Sequence, residues 1–182
     1  GNASTAQLRT FIERLRAYLN GEPVDRDGHS SQLRWLDSYG TYPVPIDIAC
    51  TGPKTIQMAV ELGDRISFAV GSAPERLQWA IDTAETHLAK INRPRNSIQL
   101  GAYINLVCDE NEQIALSLGK LIAGMVAHFA GLKHAPTEHL PPRLRAIAEH
   151  LQSQYDMARH AQEAGSHLAL IDEDFVDWFS IC

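Results

Sequence analysis

Two short turns hold the residue types best suited to ligand chemistry: Thr51-Gly52-Pro53 and Gly71-Ser72-Ala73-Pro74. Glycine lets the backbone approach a ligand closely, and proline at the first helical position leaves the other N–H groups of that turn pointing outward. Such a turn attracts anions. Two of them at the same ends of adjacent strands would make a phosphate cradle, although either alone is common among strand-to-helix turns that bind nothing. Other chemistries lack their usual carriers. His134 and His139 stand apart from any HExxH or Cys/His cluster, which argues against a metal site, and there is no GxSxG, Walker loop or GxGxxG. Asp47 is out of phase with Val44, Ile46 and Ile48, and reads as a strand-end carboxylate reaching water or an arginine in preference to a catalytic one. Tyr155-Asp156 and Arg159-His160 read as charge balance near the end of a helix.

The elements that must position these turns follow from periodicity. Apolar runs at 44–49 and 65–70 flank Ile56, Ala59, Val60 and Leu62, which have helical spacing. So short a strand–helix–strand unit favours a right-handed crossover and a parallel pair. Pro74 opens a helix with Leu77, Ala80, Ile81, Ala84, Leu88 and Ile91 on one stripe, and residues 98–107 supply a third strand. Asp109 then reads as the cap of a helix whose buried stripe is Ile114, Leu118, Leu121, Ile122, Met125 and Phe129, ending at Gly131. Upstream, Ser4 with Gln7 fits a capping box for a helix with Leu8, Phe11, Ile12, Leu15 and Leu19 on one face, ended by Asn20-Gly21. Residues 22–42 read as an ordered loop in which Trp35 and Tyr39 pack. Downstream, Pro141-Pro142 introduces a helix to about 162 closed by Gly165, and Asp172 caps a last turn carrying Phe175, Val176, Trp178 and Phe179.

Composition bounds the function classes. With 182 residues, 45% hydrophobic and 21% charged, the chain is expected to form one globular domain over 1–182. A net charge of −6 argues against nucleic acid, and Arg93-Pro94-Arg95 reads as a solvated turn. The apolar stretch 118–132 is interrupted by Gly119, Lys120, Gly124 and His128 and is too short for a bilayer. Cys50, Cys108 and Cys182 form no CxxC pair, and the first residues carry no apolar signal segment, so free thiols in a cytoplasmic, soluble protein are expected.

The order VPIDIACTGPKTIQMAVELGDRISFAVGSAPERL, then IQLGAYINLVCDEN, resembles the bacterial luciferase-like monooxygenase superfamily, and within it the branch using the deazaflavin coenzyme F-420. RLRAYLNGEPVDRDG, SQLRWLD, QYDMARH and DEDFVDWFSI extend the resemblance over nearly the whole chain. It implies an α/β fold that is part of a (β/α)8 barrel: strands five to seven, flanking helices and a helical insertion, without strands one to four or eight. It further implies that coenzyme F-420, or alternatively FMN, places its phosphate-bearing tail on Ala49, Cys50, Thr51, Gly52 and Pro53, with Val70, Gly71 and Ser72 close by. The family's catalytic side chains come mainly from the first four strands, so no residue here inherits that role. Asp47 stands where the family usually has an apolar or aromatic residue, and Arg65 where it usually has glycine. Two readings follow: an oxidoreductase acting on a small-molecule substrate, or a catalytically silent binding module. An incomplete barrel exposes strand edges and apolar faces, which predicts a homodimer through the open sheets or the helices at 141–162.

Overall fold

The computed structural model of the protein describes residues 4–35, 43–130, 140–154 and 171–182. The chain runs α1 (Thr5–Leu19), β1 (Val24–Arg26), β2 (His29–Ser31), β3 (Asp47–Cys50), α2 (Pro53–Leu62), β4 (Arg65–Phe68), α3 (Pro74–Lys90), β5 (Gln99–Ala102), α4 (Glu112–Ala130), α5 (Pro142–Gln154) and α6 (Glu173–Phe179). Strands β3, β4 and β5 form one sheet in that order, parallel throughout, with Ile48 opposite Ile66 and Ile66 opposite Leu100. This is the expected α/β arrangement, and the described residues form no closed barrel.

Alternation along the strands decides which face is covered. Ile48, Cys50, Ile66 and Phe68 are buried against α1, α2 and α3, together with Ile12, Ile56, Met58, Ala59, Val60, Ala80, Ala84 and Leu88. The opposite face carries Asp47, Ala49, Arg65, Ser67, Gln99 and Gly101, none of them fully buried. Ser67 Oγ donates to Asp47 Oδ2 at 2.8 Å there and Asp47 is exposed, so this carboxylate reaches water, as expected, and a serine. Its place on this face follows from the period-two alternation.

A second apolar cluster joins α4, α5 and α6 through Ala123, Leu140, Leu144, Ala148, Leu151, Ile171, Phe175, Val176 and Phe179. The helix α1 has the expected capping box, with Gln7 N–H donating to Ser4 Oγ and Ser4 N–H to Gln7 Oε1. Asp172 caps α6 by accepting from Phe175 N–H at 3.0 Å.

Several expectations are corrected. The third strand is four residues long where ten were expected, because its partner β4 ends at Phe68; Tyr103 N–H donates to Phe68 O as the last rung, and Leu106 instead bridges Ile181. Residues 24–31 are a hairpin where a loop was expected, turned by Asp27 (φ 56°) and Gly28 (φ 83°), which supply the two positive φ values of a tight hairpin turn. Trp35 is 59% exposed, not packed away. Asn111, not Asp109, caps α4, its Oδ1 accepting from Gln113 N–H at 3.0 Å. The buried face of α4 holds Ala115, Gly119 and Ala123, while Ile114 and Leu118 are 47% and 43% exposed. The close approach of α6 selects the small residues: a Cβ at Gly119 would strike Cys182 Sγ and come within 2.9 Å of Val176 Cγ1. Of the turn expected to be solvated, Pro94 and Arg95 are exposed but Arg93 is half-buried, its guanidinium donating to Val60 O, Gly63 O and Ser97 O at the C-terminal end of α2 and beyond. Tyr39, Gly131, His134, His139, Tyr155, Asp156, Arg159, His160, Gly165 and the end of the helix expected to reach 162 lie outside the described residues, as do the side chains of Met125 and Phe129.

Candidate functional site

The parallel register places the two glycine turns together. Cys50 pairs with Phe68, and Ala69 N–H donates to Cys50 O at 2.8 Å, so the turns after β3 and β4 leave the same rim from adjacent strands. Ligands of parallel α/β sheets bind beyond such carboxyl ends.

At the first turn, Gly52 is the N-cap of α2 in extended backbone, with Pro53 at the first helical position. Thr55 Oγ1 donates to Gly52 O at 2.9 Å and accepts from Gly52 N–H at 3.3 Å, which fixes the turn without a side chain at Gly52. A Cβ built on Gly52 would meet nothing within 4 Å. A side chain at this position would therefore meet open space. Ala49 is exposed on the uncovered sheet face, and Thr51 and Pro53 are half-buried. Cys50 faces the helices, 1% exposed, with its thiol directed at Ile48 O and Thr55 O. Burial pushes that thiol up to about 12, against a partial lowering by the Thr55 hydrogen bond, so it is neither a nucleophile nor a redox group at neutral pH. Only its backbone can face a ligand.

The second turn is built differently. Gly71 has φ 98°, and a Cβ there would come within 2.7 Å of Trp178 O and 3.1 Å of Phe179 Cδ1. The close backbone approach that this glycine permits is made by α6. Ser72 Oγ donates to Asp177 O and Ser180 O at 3.1 and 3.2 Å, and Ala73 N–H to Trp178 O at 3.2 Å. Val70 is buried, and its carbonyl accepts from Arg76 Nε at 2.6 Å. Sequence reasoning passed over Arg76, which is the third residue of α3 and is 1% exposed. The signal available was an arginine three residues after Ala73, inside the first turn of a helix that begins at an anion-attracting corner.

A cleft of about 460 Å³ lined by Phe11, Arg14, Leu15, Tyr18 and Arg26 lies on α1, remote from the rim in sequence and sharing none of its residues. Phe11 is 60% exposed, so this is an open groove. Among the described residues no three His, Cys, Asp or Glu side chains converge to hold a metal, and no helix is long and apolar enough to cross a membrane.

The comparisons with known proteins agree with this architecture. The chain is 26% identical over 122 residues to the 5,10-methylenetetrahydromethanopterin reductase of Archaeoglobus fulgidus, covering 66% of this chain and 36% of that protein. It is 23% identical over 178 residues to the reductase of the same name from Methanopyrus kandleri, covering 96% and 49%. Two solved structures superpose with a TM-score of 0.63 each: the coenzyme F420 dependent tetrahydromethanopterin reductase of Methanopyrus kandleri, at 18% identity over 96% of this chain and 49% of that one, and an F420-dependent secondary alcohol dehydrogenase in complex with an F420-acetone adduct, at 15% over 100% and 50%. The chain therefore spans half or less of the length of these relatives. The sequence profile of the luciferase-like monooxygenase family matches residues 2–181, and on a match of that extent the chain belongs to this family.

Proposed function

We propose that this chain is the tail-anchoring segment of an F-420-dependent oxidoreductase, holding the phosphate-bearing part of the coenzyme at the rim formed by Ala49, Cys50, Thr51, Gly52 and Pro53, with Val70, Gly71 and Ser72 beside it. The observation that carries the reading is the open corner at Gly52, where a backbone turn at the start of α2 faces empty space that a single Cβ would enter. The names of the similar solved structures support coenzyme F-420, with FMN as the alternative. When bound, the deazaflavin supplies hydride transfer, and the protein supplies position and field.

The chain's own residues do the anchoring. The opening N–H groups of α2 point out of the helix toward a phosphate, and the positive end of the helix dipole favours its charge. Thr55 holds the turn in shape from within. No described side chain is assigned a catalytic role; in this reading the reacting groups belong to barrel strands outside the described residues, and the segment alone is inactive as an enzyme.

Fluorescence titration with F-420, and separately with FMN, tests the reading. Micromolar binding of F-420 that is lost in Gly52→Val supports it, because the valine finds room in the protein and blocks only the ligand. No binding, or unchanged affinity in the variant, overturns it.

A second reading, a binding or assembly module derived from the family, is favoured by the polar uncovered sheet face, where a closed barrel interior is filled by branched aliphatic side chains. A two-fold dimer through that face, in a single-domain cytoplasmic protein, is its concrete form. Light scattering giving twice the mass of the chain supports it, and a stable monomer at all concentrations overturns it.

A further inference from the structure

The corner after β4 is filled by the chain's own carbonyls. Asp177 O, Trp178 O and Ser180 O, at and just past the last turn of α6, accept from Ser72 Oγ and Ala73 N–H. Carbonyls at a helix C-terminus carry partial negative charge, and these meet the partial positive charge at the start of α3.

Beneath them lies a cation with no counter-charge among the described residues. The Arg76 guanidinium is buried, anchored by Nε on Val70 O and set 5.8 Å over the ring of Phe179, and its Nη1 is buried with no hydrogen-bond partner. Burial draws its pKa down to about 10, which leaves it charged at neutral pH. A buried charge is retained only when something compensates it, and an unsatisfied buried donor calls for an explanation.

We propose that Ser72 Oγ, Ala73 N–H and the Arg76 guanidinium form a latent anion site that takes a phosphate group when the last turn of α6 moves aside, its carbonyls standing in for phosphate oxygens until then. Phosphate matches the donor set: a hydroxyl, a backbone N–H and a planar guanidinium at a helix start. The phosphate's owner, a free anion or the coenzyme tail, rests on the functional reading above, whereas the site itself does not.

Amide exchange and binding of the whole chain with inorganic pyrophosphate test the site, with F-420 as a separate arm. Pyrophosphate is expected to raise exchange severalfold at Ser180 and Ile181, whose N–H groups donate to Val176 O and Asn105 O, while Ala73 stays protected. Arg76→Met is expected to bind pyrophosphate about tenfold more weakly, the loss of one charge-assisted bond. It should melt at the same or a higher temperature, since it removes a buried cation that has no counter-charge among the described residues, whereas a purely structural arginine would leave a less stable protein. If Arg76→Met does not fold, Ser72→Ala takes its place, with weaker binding expected and unchanged affinity counting against the site. Equal pyrophosphate affinity in Arg76→Met, or exchange at 180–181 that ignores saturating anion, overturns the inference. A response to pyrophosphate without any to F-420 leaves the site standing and overturns the coenzyme reading; F-420 binding that is lost in Gly52→Val, with 180–181 unmoved by saturating pyrophosphate, does the reverse.

Discussion

Arg16 and Asp64 form a 2.6 Å ion pair that joins the outer helix α1 to the start of β4, and the same Asp64 oxygen accepts from Ile46 N–H at 2.8 Å. One carboxylate thus ties α1 to the chain entering both β3 and β4, while Arg16 also donates to Leu62 O at the end of α2. Burial pushes the Asp64 carboxyl up, but the Arg16 hydrogen bond, the Ile46 N–H and the charges of Arg16 and Arg93 together hold it below its ordinary 3.8. Glu61 is held below 4.5 by hydrogen bonds from Arg9 and His87, against a small opposing effect of burial.

Both carboxyls have folded-state pKa values below their unfolded ones, so the stability they contribute is complete above pH 4.5 and is lost as pH falls through 4.5 and 3.8 toward the folded values. Urea unfolding between pH 7 and 3 should show a midpoint that falls in the acid limb. Asp64→Asn should lower the midpoint at pH 7 and flatten that limb; an equally steep limb in the variant would remove Asp64 from the cause.

The two glycine turns should differ in mutational cost. Gly71→Ala places a Cβ at φ 98° against backbone, and should destabilise by about 1–3 kcal/mol. Gly52→Ala enters open space in extended backbone and should change stability by less than about 0.5 kcal/mol. Thermal denaturation of the pair decides it, and equal costs would contradict the distinct construction of the two corners.

Much of this arrangement was legible in the sequence, and the misses share a cause. The parallel pairing, the capping box at Ser4 and the cap at Asp172 followed from local patterns that the tertiary structure had no reason to override. The stripe on α4 failed because Ile114 and Leu118 have helical spacing but the neighbour they would face is α6, which comes too near Gly119 for large side chains. The hairpin at 24–31 was legible in Asp27-Gly28, yet its strands are short and mostly exposed, so alternation gave no second signal. Gly71 was recognised as a site of close backbone approach, but sequence cannot say what approaches. Here it is Trp178 O, more than a hundred residues away. That Arg76 Nη1 is buried without a hydrogen-bond partner is likewise a fact of three-dimensional packing, with no trace in local pattern.

Thiol reactivity should separate the three cysteines. Cys108 and Cys182 are exposed and should react with a disulfide reagent in the native protein, whereas Cys50 should react only on unfolding. Three fast thiols in the native state would contradict the packing of β3 against α2.

Arg93→Ala should destabilise the protein, by about 1–3 kcal/mol, because it strips hydrogen bonds from Val60 O and Gly63 O at the end of α2. Arg95, paired with Glu85 at an exposed position, is the control: Arg95→Ala should cost less than about 1 kcal/mol. Chemical denaturation checks both, and a reversed order would mean that Arg93 contributes no more than a surface charge.

The Asp47–Ser67 pair sets terms for anything that settles on the uncovered side of the sheet. A layer of methyl groups laid there would strip water from the Asp47 carboxylate and leave it a single hydroxyl for compensation, so an incoming element must carry donors matched to Asp47 and acceptors matched to Arg65. That requirement discriminates among neighbours, admitting a polar surface in register and turning away a greasy one.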